Sequence, residues 1–395
     1  MPYSVSVIME NSTRVRRGFE LVLLLVMSMV AAVMSAPSAV ALDGTCSESG
    51  NYEVCFTYGA GVEDRLIAAK IKAKIDATAD ASAAGETGNY IRVAIYNWGT
   101  DGGGTALADS LVRAAESGVS VRIVVGPSAG AITDKFRNAG IDLAYCPNSC
   151  MDADRGSMHN KFFVIKKGDT KLVLQSSSNL SQWQARHAQN LLISRDDELL
   201  FSAYVNYWRR LYAGGWTYDG VEWDTNAERT IDGSNELSKA YFFPQPGINR
   251  VADVLGNVSE CQEGSDRIWL EASLMEDEAY AREIITELNR LVGIGCDVKV
   301  IVQEQSGADI LRKYGVAASD ISCDGWSHNK LLLIDAKYAS EWRKAVFVGS
   351  YNLTENSAQR ANDVMLRVID GWVTNRYIEQ FRVLWTTPHA CDQGT

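Results

Sequence analysis

Apolar and polar residues alternate along Tyr90 to Trp98 (YIRVAIYNW), which predicts a strand; the spacing over Ala106 to Ser117 is helical, and Val119 to Val125 (VSVRIVV) reads as a second strand. A third strand is expected at Ile141 to Tyr145. His159-Asn160-Lys161 then runs into the apolar FFVI, Leu172 to Leu174 ends in Gln175-Ser176-Ser177-Ser178-Asn179, Asn190 leads LLIS, and a helix is expected near Asp197 to Leu211. The order then returns. Arg267 to Met275 is a strand, Glu278 to Val292 a helix and Asp297 to Val302 a strand. His328-Asn329-Lys330 runs into LLLID, Val346 to Val348 ends in Gly349-Ser350-Tyr351-Asn352, Asp363 leads VMLRV, and a helix near Trp372 to Trp385 closes the chain.

Strands alternating with helices predict an α/β fold with two mixed β-sheets, each flanked by helices. The Gly-, Asp- and Asn-rich stretch Gly214 to Ser234 is the expected connector, giving halves at 42–230 and 231–395. A duplicated unit can close about a pseudo-twofold, so that equivalent loops form one active site at the interface.

The N-terminus stands outside this pattern. Arg14, Arg16 and Arg17 precede the apolar run Leu21 to Val33, and Ala39-Val40-Ala41 follows, as in a signal peptide at 1–41 cleaved near Ala41. The run is short for a membrane anchor, so a secreted protein without a transmembrane segment is expected. All eight cysteines lie beyond Ala41, and an even number in an exported chain reads as disulfides. Proximity pairs Cys46 with Cys55 and Cys146 with Cys150; of the rest, Cys296 is paired with Cys323 and Cys261 with Cys391. Zinc at Cys146 and Cys150 lacks a second close Cys/His pair. With 38 Lys and Arg against 49 Asp and Glu, the net charge is −11, and loss of three Arg and two Glu in the leader takes it to −12. That balance argues against nucleic acid as a partner.

Two of the four histidines, His159 and His328, occupy equivalent places, each followed by Asn-Lys, a strand and a hydroxyl-rich turn. A neutral imidazole can attack phosphorus while a second protonates the departing oxygen. Lysines supply fixed positive charge, and Ser hydroxyls and Asn amides donate to the phosphate oxygens. This chemistry needs no metal or cofactor. His187 and His389 are expected at the surface, Trp183 and Trp326 in packing or at a lipid-facing cleft mouth, and Gly102 to Gly104 at a helix start.

The doubled H-x-K-x4-D and G-S-x-N pattern resembles the phospholipase D superfamily over most of residues 60–385, and the signal, cysteines and phrases HNKFF, QSSSNL and KAYFFP resemble exported actinobacterial phospholipase D-like proteins. The resemblance implies a duplicated phospholipase D-like fold. It implies catalytic roles for His159, Lys161, His328, Lys330, Asp335 and Asp363, with His159 as nucleophile and His328 as acid and base. Phosphate contacts are expected from Ser176, Ser177, Asn179, Ser350 and Asn352. The first motif departs from the pattern: Lys166 stands at the Asp position with Asp169 three residues late, Gln175-Ser176 replaces Gly-Ser, and Asn190 stands where the second half has Asp363. Ala336 to Ala345 reads as a small polar insertion. The expected activity is hydrolysis of glycerophospholipids at a membrane or micelle surface, by a monomer, to phosphatidic acid and a free head group through a phosphohistidine. The alternatives are a secreted nuclease of the same superfamily and a catalytically impaired phosphate- or lipid-binding relative.

Overall fold

The computed structural model describes residues 42–127, 130–152, 154–215, 217–218, 220–222 and 229–392. The expected signal peptide and part of the connector lie outside the described residues.

The first half begins with a hairpin, β1 (Thr45–Ser49) and β2 (Tyr52–Tyr58), followed by α1 (Leu66–Ala83). Next come β3 (Tyr90–Ile95), α2 (Gly104–Glu116), β4 (Ser120–Val125), α3 (Gly130–Asn138) and β5 (Asp142–Tyr145). The sheet is completed by β6 (Lys161–Lys167), β7 (Thr170–Ser176) and β8 (Ala188–Arg195), and α4 (Glu198–Ala213) follows. Its order is β1-β2-β8-β7-β6-β3-β4-β5. The β3–β4–β5 ladders are parallel, whereas β3 meets β6 antiparallel, so the sheet is mixed.

A small hairpin, β9 (Thr217–Tyr218) and β10 (Val221–Glu222), leads to the second half. There β11 (Thr230–Asp232), β12 (Ser238–Phe242), α5 (Arg250–Gly256), β13 (Val258–Glu260), β14 (Arg267–Ala272), α6 (Ala279–Gly293), β15 (Asp297–Val302), α7 (Gln305–Lys313) and β16 (Ile321–Cys323) precede β17 (Lys330–Tyr338) and β18 (Glu341–Gly349). The last elements are α8 (Glu355–Gln359), β19 (Val364–Ile369) and α9 (Gly371–Thr386). The sheet order is β11-β12-β19-β18-β17-β14-β15-β16, with β13 added to β17. The two orders are the same through eight strands, more than the repeat predicted.

The closing helix of each half packs between the sheets. Helix α4, started by Asp197 accepting the Leu200 N–H, lies against β3, β6 and β7 and also against β11 and β12. Helix α9, capped by Asp370 on the Val373 N–H, lies against β18 and β19 and also against β2. Phe162, Tyr204, Trp208, Phe242, Trp269, Tyr377 and Phe381 meet in the shared core. Trp208 Nε1 donates to Val93 O at 2.8 Å, which satisfies its only donor inside that core. Each half also has its own apolar cluster on the outer face of its sheet.

Three expectations change. The hairpin β1–β2, α1 and β12 were not anticipated; α1 packs on α2, β2 and β6, β2 also on α9, and β12 on α4, partners that only the folded chain supplies. Ala336 to Ala345 is no loop insertion: β17 and β18 continue through it, paired from Leu331–Val348 to Tyr338–Glu341, and turn at Ala339 and Ser340. The disulfides are Cys46–Cys55, Cys146–Cys150, Cys261–Cys296 and Cys323–Cys391, so the last two pairings read from sequence are replaced. Cys261 precedes β14 and Cys296 precedes its parallel neighbour β15, which brings those ends together, while the tail after α9 returns to the end of β16. Among the described residues, no helix is long and apolar enough to cross a membrane.

Peptide mapping of unreduced protein should recover these four bridges and no reactive thiol. A Cys296–Cys323 peptide would overturn the topology at this corner.

Candidate active site

Both H-x-K turns lie where the ends of interior strands from the two halves meet. Met158 pairs with Asn362 and Ser327 with Ala188, so the residue before each histidine bridges to the opposite half. The His159 N–H donates to Asn362 O at 2.9 Å, and the His328 N–H to Ala188 O at 2.9 Å. The lysines head the next strands, with Lys161 paired to Ile95 and Lys330 to Ala272. Both are buried, whereas the two imidazoles are half-buried at the cleft.

The half-sites differ. His159 Nδ1 lies 2.9 Å from Asp363 Oδ1, and Ser350 Oγ donates to the same oxygen at 2.6 Å. Burial pushes the Asp363 carboxyl up, but His159, Lys161 and the Ser350 hydroxyl together hold it below its usual value. The acid from the second half therefore serves the histidine of the first. Among the described residues His328 has no such carboxylate: its Nδ1 lies 3.2 Å from Lys330 Nζ, which also donates to Ser273 Oγ at 2.5 Å and to His328 O at 3.0 Å. Lys161 Nζ donates to His159 O at 2.8 Å and stands over the Tyr96 ring at 5.4 Å.

Strand register corrects the motif alignment. Ala188 matches Asn362 in the two edge bridges, so the residue matching Asp363 is Gln189, not Asn190. Ser177 Oγ donates to Gln189 Oε1 at 2.7 Å, as Ser350 does to Asp363. Ser176 then matches Gly349 and Ser177 matches Ser350. A Cβ at Gly349 would lie 2.0 Å from Val364 O, whereas Ser176 turns its hydroxyl onto the equivalent Asn190 O at 3.0 Å.

These contacts remove Ser176, Ser177 and Ser350 from the expected phosphate ligands, since all three are buried with their hydroxyls donated to the next strand. Asn179 and Asn352 remain candidates. Their Oδ1 atoms accept from Asn97 N at 3.3 Å and Ser273 Oγ at 2.9 Å, which leaves the amide NH2 as the end able to donate to a phosphate. Asp335 lies outside the cluster. It is five residues along β17 from Lys330, about 16 Å at strand rise, and pairs with Arg267 at 2.9 Å and Lys344 at 3.1 Å. Lys166 occupies the matching place opposite Tyr90, and Asp169 is exposed in the β6–β7 turn.

His187 is a further correction. It is buried, with Nδ1 donating to Trp183 O at 2.7 Å, and its ring lies 3.9 Å from Trp183, 5.2 Å from Trp326 and 6.1 Å from His328. Trp183 is 52% exposed beside it. Gly61, at φ +75°, passes so close to Trp326 that a Cβ would lie 2.9 Å from the ring. His389 is half-buried and pairs with buried Asp324 at 3.0 Å. Sequence reasoning also passed over Glu271, buried on β14, which accepts from Ser327 Oγ and from Asn329 Nδ2 at 3.1 Å. Burial raises its carboxyl to about 7, against the hydrogen bonds from Ser327 and Asn329. A lone acid in an apolar strand, with Ala94 at the matching place, was its signal.

A family model described as cardiolipin synthase, PLD-like domain, matches residues 82–212 and 258–385. The chain belongs to the phospholipase D superfamily. Among curated proteins, none matches it in sequence. The fold is similar to phosphatidylserine synthase from Haemophilus influenzae, with a TM-score of 0.54 and 12% identity over 87% of each chain. It is also similar to polyphosphate kinase from Porphyromonas gingivalis, with a TM-score of 0.50 and 15% identity over 81% of this chain. The chain spans 50% of that kinase's length. Members of the phospholipase D superfamily act on phosphodiester bonds, and the paired turns described above coincide with both matched segments.

The electrostatics of the site favour the neutral form of both imidazoles. Burial and then Lys161 lower His159, with Asp363 opposing; burial, Lys330 and Lys161 take His328 well below the usual value. Burial takes Lys161 down to about 7. Both histidines bind protons less readily folded than unfolded, so they favour folding above an unfolded value of about 6.5 and weaken it as pH falls through that point.

NMR titration should show both rings neutral at pH 6.5, with His328 the more resistant to protonation. Asp363→Asn should lower the His159 value further, because it removes the carboxylate that favours the cation. Protonation of either ring at its ordinary value would contradict this electrostatic picture.

Proposed function

We propose that the protein is an exported, monomeric phosphodiesterase of phospholipase D type. It hydrolyses glycerophospholipids at a membrane or micelle surface to phosphatidic acid and a free head-group alcohol. The observation that carries this reading is the His159–Asp363 contact across the two halves, beside a second imidazole and two buried ammonium groups. With Nδ1 donating to Asp363, the lone pair of His159 is on Nε2 and suited to attack phosphorus. Attack forms the P–Nε2 bond and breaks the bond to the head-group oxygen, which receives a proton from His328. Water, deprotonated by His328, then displaces His159 and releases phosphatidic acid. Lys161 and Lys330 stabilise the equatorial oxygens by charge, and Asn179 and Asn352 by donated hydrogen bonds. Four disulfides, the acidic balance and the leader pattern support the exported setting, with the halves dividing near residue 230.

The test is a panel of phosphatidylcholine, phosphatidylethanolamine, sphingomyelin and single-stranded DNA, assayed with oxidised protein and a strong chelator. Glycerophospholipid cleavage is expected. Cleavage of DNA alone would replace this reading with the nuclease, and binding without turnover would replace it with the impaired relative. His159→Ala should abolish turnover and acid-labile phosphate on the protein. Asp363→Asn should lower the rate by about 100-fold or more. Lys166→Asp and Asp335→Asn should leave kcat/KM within about threefold, since neither position faces the cleft; a large loss for either would return the motif acid to the site.

A further inference from the structure

The two half-sites differ most in what stands behind each imidazole. His159 is backed by a carboxylate, which accepts its Nδ1 proton. His328 is backed by an ammonium group, and Lys330 Nζ has hydrogens to donate and no lone pair to accept with while it is charged. With Lys330 charged, His328 Nδ1 at 3.2 Å is the acceptor, which places the ring proton on Nε2. Gln189 occupies the position from which the opposite half would supply an acid. Its side chain is taken up elsewhere, accepting from Ser177 and donating to Gln184 Oε1 at 2.7 Å.

A neutral imidazole that gives up Nε2–H becomes an imidazolate unless Nδ1 gains a proton in the same step. An ordinary general-acid histidine avoids this by starting as the cation, with a carboxylate in support. His328 has no carboxylate on its ring and is crowded by positive charge from Lys330 and Lys161. It does have a proton donor in contact with Nδ1. Of the three acceptors around Lys330 Nζ, Ser273 Oγ follows β14, while His328 O and His328 Nδ1 direct two of its hydrogens back at the histidine.

Building on the hydrolase reading above, we propose that Lys330 and His328 act together as a proton relay, with Lys330 the proton source for the leaving group. As the bond from phosphorus to the head-group oxygen breaks, His328 Nε2 gives its proton to that oxygen and Nδ1 takes one from Lys330, leaving a neutral amine. His328 then carries its proton on Nδ1 and a lone pair on Nε2, the tautomer needed to accept a proton from water. When water attacks the phosphohistidine, Nε2 takes that proton and Nδ1 returns its own to Lys330, restoring the starting state. Protons and charge balance over the two steps, and no ring rotation is needed. Burial, together with Lys161, holds the Lys330 ammonium well below its usual value, a direction that eases its loss of a proton.

Nitrogen-15 NMR of the unmodified protein at neutral pH reads the tautomers without any need for turnover. The expected result is His328 protonated on Nε2 and His159 protonated on Nδ1; a His328 proton on Nδ1 would overturn the relay. Kinetics supply the second arm. In Lys330→Arg the charge stays but the side chain cannot release its proton, so cleavage of an alkyl phosphodiester should fall on the order of 100-fold. The burst of p-nitrophenol from an aryl diester, whose leaving group needs no proton, should fall less than about tenfold. Adding Gln189→Asp to Lys330→Arg should recover about tenfold on the alkyl substrate, because a carboxylate would then support the histidine as a cation. Equal losses for both leaving groups would show Lys330 to be a phosphate charge only. Wild-type inactivity toward both diesters would instead remove the hydrolase reading itself, a result distinct from an active enzyme with the wrong tautomer.

Discussion

The contact between His159 and Asp363 joins residues 204 positions apart and depends on nearly everything else in the fold. Asp363 is fully buried, and an ion in that position is tolerable only because the imidazole, the Ser350 hydroxyl and nearby Lys161 compensate it. Those groups reach it only if the strand edges of the two halves are in register, which the Met158–Asn362 and Ser327–Ala188 bridges enforce. Asn362 ties this point to the first half once more: its Oδ1 accepts from Ser149 Oγ at 3.0 Å and from Cys150 N at 2.7 Å, inside the Cys146–Cys150 loop. The disulfide loop thus grips the residue next to the carboxylate.

Much of this was legible in the chain because the signal was local and repeated. His-Asn-Lys followed by an apolar run marks a turn entering a buried strand in both halves, and the structure places both there. What the chain does not display is strand offset. A displacement of one residue moves a side chain to the other face of a sheet, and that single step separates Asn190 from Gln189 and Gln175-Ser176 from Ser176-Ser177. The serines illustrate a related gap, since a hydroxyl bound to a phosphate and a hydroxyl bound to the adjacent strand have the same sequence. His187 could not be recognised as buried, because its cover comes from Trp183 nearby and from Trp326 in the other half.

The overall charge of −11 and the character of the cleft point in opposite directions. Lys161 lowers the hold of Lys330 on its proton, and both lysines lower that of His159 and His328. Desolvated positive charge at the focus of an otherwise acidic surface directs its field into the cleft and not over the exterior.

Helix α9 has a consequence for how the molecule is made. Its side chains complete the core beside β2, and Tyr377 packs on Phe56 with ring centroids 4.8 Å apart. In a chain emerging N-terminus first, α4 already covers β3, β6 and β7, while the inner face of β2 stays open until α9 is made. The tail that follows must still close onto the β16 end through Cys323 and Cys391. Until Asp363 is made, His159 has no carboxylate to hold its Nδ1, and the early half is at its most prone to stray association. The His159–Asp363 pair can form only after the second half has been made, so the order of synthesis itself places that contact late in folding.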